Sequence, residues 1–182
     1  DDGVAAEGID ALVRGLLANP NNVLVVSAPL ENASGAGDQM IGDEIGQDCI
    51  EGTGMAMPAS TASGYETDVW AVDGCPVDAV LYGLENLYPD EPPHVVITGL
   101  NEGQNVGLVG ERGLVSQISG TVGGAKAGAC SGVPAVASSQ GDPENPSDPE
   151  AYDYESGVAA VVEWLEANRS ALLTGEVSVE NI

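Results

Sequence analysis

Asp1-Asp2-Gly3 places two adjacent carboxylates and a glycine directly ahead of a helical pattern. Hard divalent cations take oxygen ligands, commonly one or two carboxylates completed by water and substrate phosphate. Three later segments carry the polar residues that such a site needs. They are Asn32-Ala33-Ser34-Gly35, the run Gly99-Leu100-Asn101-Glu102-Gly103-Gln104-Asn105-Val106-Gly107, and Ser119-Gly120-Thr121-Val122. The pattern points to metal-dependent phosphoryl chemistry.

Other chemistries find less support. The single histidine, His94, precedes a predicted strand and so falls at the end opposite the expected site. That position disfavours Ser-His-Asp and Cys-His mechanisms. There is no GxSxG elbow and no GxxxxGK[ST] loop, and the glycines within 99–107 lack GxGxxG spacing. Cysteine and histidine are too scattered for a zinc site. The Asp-x-Asp order of aspartyl-nucleophile phosphatases is also missing.

The elements that must position these residues follow from hydrophobic periodicity. Ile9, Leu12, Val13, Leu16 and Leu17 predict an amphipathic helix over 4–18. Asn19-Pro20-Asn21-Asn22 ends it, and the apolar run 23–26 reads as a strand buried on both faces. Residues 28–64 read as loops with short extended pieces. A strand at 69–72 leads into a helix that starts on Pro76 and reaches about residue 87. A strand at 95–98, a helix at 121–130, a strand at 134–137, a long loop at 138–153 and a last helix at 154–168 complete the chain. Alternating strands and helices predict an α/β fold: three layers, α/β/α, around a mostly parallel, Rossmann-like sheet. Ligands in such sheets bind at the carboxyl ends of the strands, where the loops after Val26, Thr98 and Ala137 lie.

Bulk properties set the limits. The 182 residues suit one domain. The core must be built from Val, Ala and Leu, since Phe is absent and the aromatics are five Tyr and two Trp. Twenty-nine acids against 4 bases give a formal net charge of −25. Such a surface repels polyanions, so nucleic acid and anionic membranes are not expected partners. It also suits high salt, where screening shortens self-repulsion. A 43% hydrophobic content argues against disorder. Cys49, Cys75 and Cys130 are odd in number and lack CxxC spacing, and buried free thiols are expected. No apolar run approaches the roughly 18 residues of a spanning helix, and no export signal is visible.

Taken in order, the four segments match one family. With Ala28-Pro29 before the second of them, and with Asp73-Gly74-Cys75-Pro76-Val77-Asp78 and Gly132-Val133-Pro134-Ala135-Val136, the chain resembles the SurE nucleotidases from Asp1 to about Trp164. These are metal-dependent phosphatases acting on nucleoside 5′- and 3′-monophosphates. The resemblance implies that Asp1, Asp2, Ser34 and Asn101 hold the cation, Mg²⁺ or Mn²⁺ with Ca²⁺ as a possible substitute. Asp1 and Asp2 would then be catalytic through that cation. Gly35, Asn105, Ser119, Gly120 and Thr121 would meet the substrate phosphate. For Ser119 and Thr121, plain helix capping is the competing role.

The resemblance also implies one SurE-like domain over 1–182 and a homodimer or higher homo-oligomer. The stretches Gly103-Gln104-Asn105 and Ser139-Gln140-Gly141 look closest to exported members, so a periplasmic or extracellular location is favoured over the cytoplasm. Two departures stand out. Cys75 replaces a usual threonine, and the family strand that leads into the acidic pair is missing. The expectation is a domain truncated at its start, with an opening beside the strand at 23–26 or 95–98. A non-catalytic remnant that binds metal or nucleotide is the alternative function.

Overall fold

The computed structural model describes residues 2–66, 68–107, 114–141, 152–175 and 180–181. In chain order the elements are α1 (Glu7–Leu17), β1 (Val26–Pro29), a 3₁₀ turn (Asp48–Glu51), β2 (Ala56–Pro58), β3 (Val69–Val72) and α2 (Pro76–Tyr82). A π-helical turn (Gly83–Leu87) extends α2. Then come β4 (Val96–Glu102), α3 (Val115–Ile118), α4 (Gly120–Cys130), β5 (Ala135–Gln140), α5 (Tyr154–Thr174) and β6 (Glu180–Asn181). This is the three-layer, mostly parallel α/β fold. The antiparallel pairing is β2 on β3, while β1–β3, β4–β5 and β5–β6 are parallel.

Small side chains set the packing. Val13 of α1 joins Val4, Val26, Ala28, Val69 and Ala71 in one cluster. Leu12 and Leu16 meet Val161 of α5 in a second. A third is built from Val122 and Ala125 of α4 against Ala135 and Ala137 of β5. Close approach replaces bulk where aromatics are lacking. A Cβ on Gly123 would lie 1.9 Å from the Gly37 carbonyl oxygen, and one on Gly8 1.9 Å from that of Leu100. Alanine at either position would force the helix off its neighbour, so these two glycines seat α4 against the loop after β1 and α1 against the end of β4.

The strands form two three-stranded groups, β1-β3-β2 and β4-β5-β6, with no pairing between β1 and β4. A cleft of about 650 Å³ lies between those two edges, walled by Leu12, Leu16, Leu24, Val26, Ile97 and Leu165 among others. This is the expected opening. Its effect shows in burial: Ala135, Val136, Ala137 and Ser138 of β5 are all buried, whereas their neighbours Val96, Ile97, Thr98 and Gly99 of β4 are only half-buried.

β5 runs to Gln140, into the loop expected at 138–153, and α5 runs past residue 168 to Thr174. Three further expectations need correction. The strand expected at 23–26 runs instead over Val26–Pro29, and Val23 is 85% exposed. The strand expected at 95–98 continues to Glu102, because Asn101 and Glu102 pair with Ser139 and Gln140. Cys49 and Cys75 are not free thiols. The 3₁₀ turn and the entry to α2 bring their Cα atoms to 4.9 Å and they form a disulfide, leaving Cys130 as an exposed free thiol. Nothing in their local sequence marks them as partners, since 26 residues separate them.

Candidate functional site

The chain's first described residues span the two sheet halves at their carboxyl ends. The Val4 amide donates to the Pro29 carbonyl at the end of β1, 2.9 Å away. Asp2 sits between the halves: its Oδ1 accepts from Ser34 Oγ at 3.0 Å, and its Oδ2 accepts from the Glu102 amide at 3.3 Å. Ser34 is held by a local turn in which its amide donates to Asn32 Oδ1 at 2.8 Å. Gly35 follows at φ +87°, in the left-handed region that glycine tolerates, with the Gln47 amide group against it.

Asn101 reaches the same place by a bulge. Thr98 and Asn101 pair with Ala137 and Ser139, so β4 carries one extra residue there. Bulges re-aim a side chain and are frequent beside active sites. The Asn101 amide nitrogen donates to the carbonyls of Glu102 and Gly103, at 3.1 and 2.7 Å. Its Oδ1 is thereby left as an acceptor, and Thr121 Oγ1 donates to it at 3.2 Å. Thr121 and Gly120 open α4 and, with Asp2 and Leu100, line the cleft.

The remaining residues singled out from sequence lie around this row. Ser119 caps α4, accepting from the Val122 amide at 3.2 Å, and does not line the cleft. That is the capping role. Asn105 is buried and donates to Ser139 Oγ at 2.6 Å. Asp1 lies outside the described residues. His94 lines the cleft just before β4, at the end away from Asp2.

Two features were not singled out from sequence. Tyr154, the first residue of α5, stands at this rim: burial, then Glu102, Glu7 and Asp2, push its hydroxyl pKa up to about 12. Asp10 of α1 is buried and accepts from Thr61 Oγ1, the Ser63 amide and hydroxyl, and Arg14 Nε. Burial alone raises its pKa, but these donors outweigh it and bring it to about 2. Asp10 therefore pins the helix that follows Asp2 to the loop at 59–65.

A family profile described as Survival protein SurE matches residues 1–182. The chain belongs to the SurE family. SurE relatives named 5′-nucleotidase SurE include that of Chlamydia muridarum, 38% identical over 141 residues, covering 77% of this chain and 44% of the relative. That of Halobacterium salinarum is 40% identical over 137 residues, covering 75% and 43%. That of Fervidobacterium nodosum is 34% identical over 170 residues, covering 91% and 55%. The chain thus spans about half the length of the curated SurE relatives it matches. The crystal structure of the SurE protein from Aquifex aeolicus superposes with a TM-score of 0.72 at 28% identity, covering 100% of this chain and 63% of that one.

The donors fit a hard cation. Carboxylate, hydroxyl and carboxamide oxygens meet at one SurE rim, and the Asn101 nitrogen is turned away onto carbonyls. Among the described residues no cation is left for an anionic substrate: Arg14 pairs with Asp10, Lys126 with Asp38 and Arg169 with Glu166.

Proposed function

We propose that this chain forms the catalytic core of a nucleotidase that hydrolyses nucleoside 5′- and 3′-monophosphates to nucleoside and phosphate. The observation that carries the reading is the hydrogen-bonded row from Ser34 through Asp2 and the Glu102 amide to Asn101 and Thr121, at the carboxyl ends of β1 and β4. Asp2, Ser34 and Asn101, together with Asp1, would hold Mg²⁺ or Mn²⁺. Such a cation supplies polarisation of phosphoryl oxygens and activation of water.

The protein's own residues do the rest. Asp2 supplies the negative charge that holds the cation, and Ser34 orients that carboxylate. Asn101 is fixed by the Glu102 and Gly103 carbonyls, so its oxygen faces inward. The amides that open α4 offer donors to a phosphate at the positive end of a helix. With net charge −25 and the described cations already paired, the cation and these amides are what admit an anion. Gly35 and Asn105 complete the surrounding loops. The Cys49–Cys75 disulfide supports work in an oxidising compartment, in line with export.

The test is phosphate release from 5′-AMP and 3′-AMP with Mn²⁺ or Mg²⁺. Release with the metal and none with chelator is expected; no release with any metal would overturn the reading. One observation favours a second reading. β1 and β4 are not paired, so Ser34, in the loop after β1, and Asn101, near the end of β4, are carried by separately bonded halves. Binding of Mn²⁺ and AMP without turnover would mark that case.

A further inference from the structure

Residues 152–154 add an aromatic surface to this rim. The rings of Tyr152 and Tyr154 lie nearly parallel, 20° apart in plane with centroids at 5.9 Å. They open α5, whose Asp153 cap accepts from the Ser156 amide at 3.1 Å and so fixes the turn between the two tyrosines. Tyr154 also packs against α1: a Cβ on Gly8 would lie 3.4 Å from Tyr154 Cε1. Gly8 is pressed against the Leu100 carbonyl as well, next to Asn101, so the ring that meets Gly8 stands beside a proposed cation ligand and not across the molecule. Gly157, one turn further along α5, meets Leu100 and Gln140, so this end of the helix caps the carboxyl ends of both β4 and β5.

A rim so acidic offers no attraction to an anion beyond the cation and the helix amides. It does offer the half-buried, uncharged rings of Tyr152 and Tyr154, and carboxylates that accept hydrogen bonds from amino groups. A nucleobase has this complement: it is planar, neutral and fringed with N–H donors. Aromatic rings prefer near-parallel offset or tilted stacking, and bases stack on them whatever their sequence identity.

We propose that the Tyr152–Tyr154 pair is the nucleobase platform of this site, the surface that makes nucleoside monophosphates better substrates than base-free phosphomonoesters. Glu102 is the neighbouring acceptor for base amino groups. The assignment deepens the nucleotidase reading and rests on it for the placement of the phosphate.

Two measurements separate the platform from that reading. The first is equilibrium binding of adenosine to the whole chain, which needs no turnover. Tyr152→Ala and Tyr154→Ala should each weaken it by about tenfold, and Tyr154→Phe or Tyr154→Trp should preserve it. The second is the ratio of kcat/KM for AMP to that for ribose 5-phosphate, which should fall by a similar factor in the alanine variants. Adenosine binding that responds to the tyrosines, with no phosphate release from either ester, would leave the platform standing and remove the nucleotidase. Adenosine binding that is absent, or equal in wild type and both alanine variants, overturns the platform. So does an AMP to ribose 5-phosphate ratio that does not move. Tyr152→Ala serves where the loss of the Tyr154 contact with α1 prevents folding.

Discussion

Reducing the Cys49–Cys75 disulfide should cost this protein a large part of its stability. Cys75 is fully buried at the entry to α2, and Cys49 sits on the 3₁₀ turn of the long loop between β1 and β2. The bond closes a loop of 26 residues, for which the chain-entropy relation gives about 3.5 kcal/mol at 25 °C. An unfolding entropy of about 2.1 cal/mol/K per residue over 182 residues converts this to a fall of about 9 °C in Tm. Some of the clamp survives reduction. Asp73 Oδ2 accepts from the Thr53 amide and hydroxyl at 3.1 and 2.6 Å, and Asp78 Oδ2 from the Ile41 amide at 3.0 Å. The Tm loss should therefore appear without wholesale unfolding at 25 °C. The assay is a calorimetric melt with and without reductant, with a thiol titration of the denatured, unreduced protein. One reactive thiol, that of Cys130, is expected. Three thiols, or a wild-type Tm that neither reductant nor the Cys49→Ser substitution lowers, would refute the reasoning.

Three further outcomes are expected. Asp10→Asn replaces an ionised acceptor of several hydrogen bonds and should destabilise by about 2 kcal/mol, read by urea titration. Because the folded pKa of Asp10, about 2, lies below its ordinary 3.8, its contribution is present above pH 4 and is lost as pH falls toward 2; the acid limb should flatten in the variant, and an unchanged limb would contradict the assignment. Raising salt from 0.1 to 1 M shortens the Debye length from about 10 to about 3 Å and should raise Tm by relieving the −25 charge; a flat or falling Tm would oppose it. An extended apolar segment of about six residues, joined ahead of Asp1, can pair with the free edges of β1 and β4 in the way parallel ladders do. It should raise Tm by covering the cleft, and no gain would show that the cleft does not accept a strand.

Much of the fold was legible because it rests on local patterns. The β3 strand Val69–Val72 matches its expected bounds, and α4 starts one residue before the expected 121 and ends on the expected Cys130. What failed depends on partners far along the chain. β1 begins at Val26, where Val69 of β3 first pairs with it, and not where the apolar run begins, so Val23 stays in solvent. β4 continues into polar Asn101 and Glu102 because β5 offers Ser139 and Gln140 there. The disulfide needs two loops to meet, which no spacing rule reveals. At the site, Asp2, Ser34, Asn101 and Thr121 were legible through the order of their motifs. Tyr154 and Asp10 were not, since a helix-opening tyrosine and a helical aspartate look ordinary until their neighbours from other elements are known.

The central claim is that Asp2, Ser34 and Asn101 form one divalent-cation site, and Mn²⁺ titration followed by electron paramagnetic resonance tests it most directly. Asp2→Asn keeps the side-chain shape and removes one charge from the donor set, while the backbone contacts at Val4–Pro29 remain. Its Mn²⁺ affinity should fall by at least about tenfold, as losing a partner in a metal site does, with circular dichroism and Tm close to wild type. Equal Mn²⁺ affinity in wild type and Asp2→Asn would place the cation elsewhere and contradict the site.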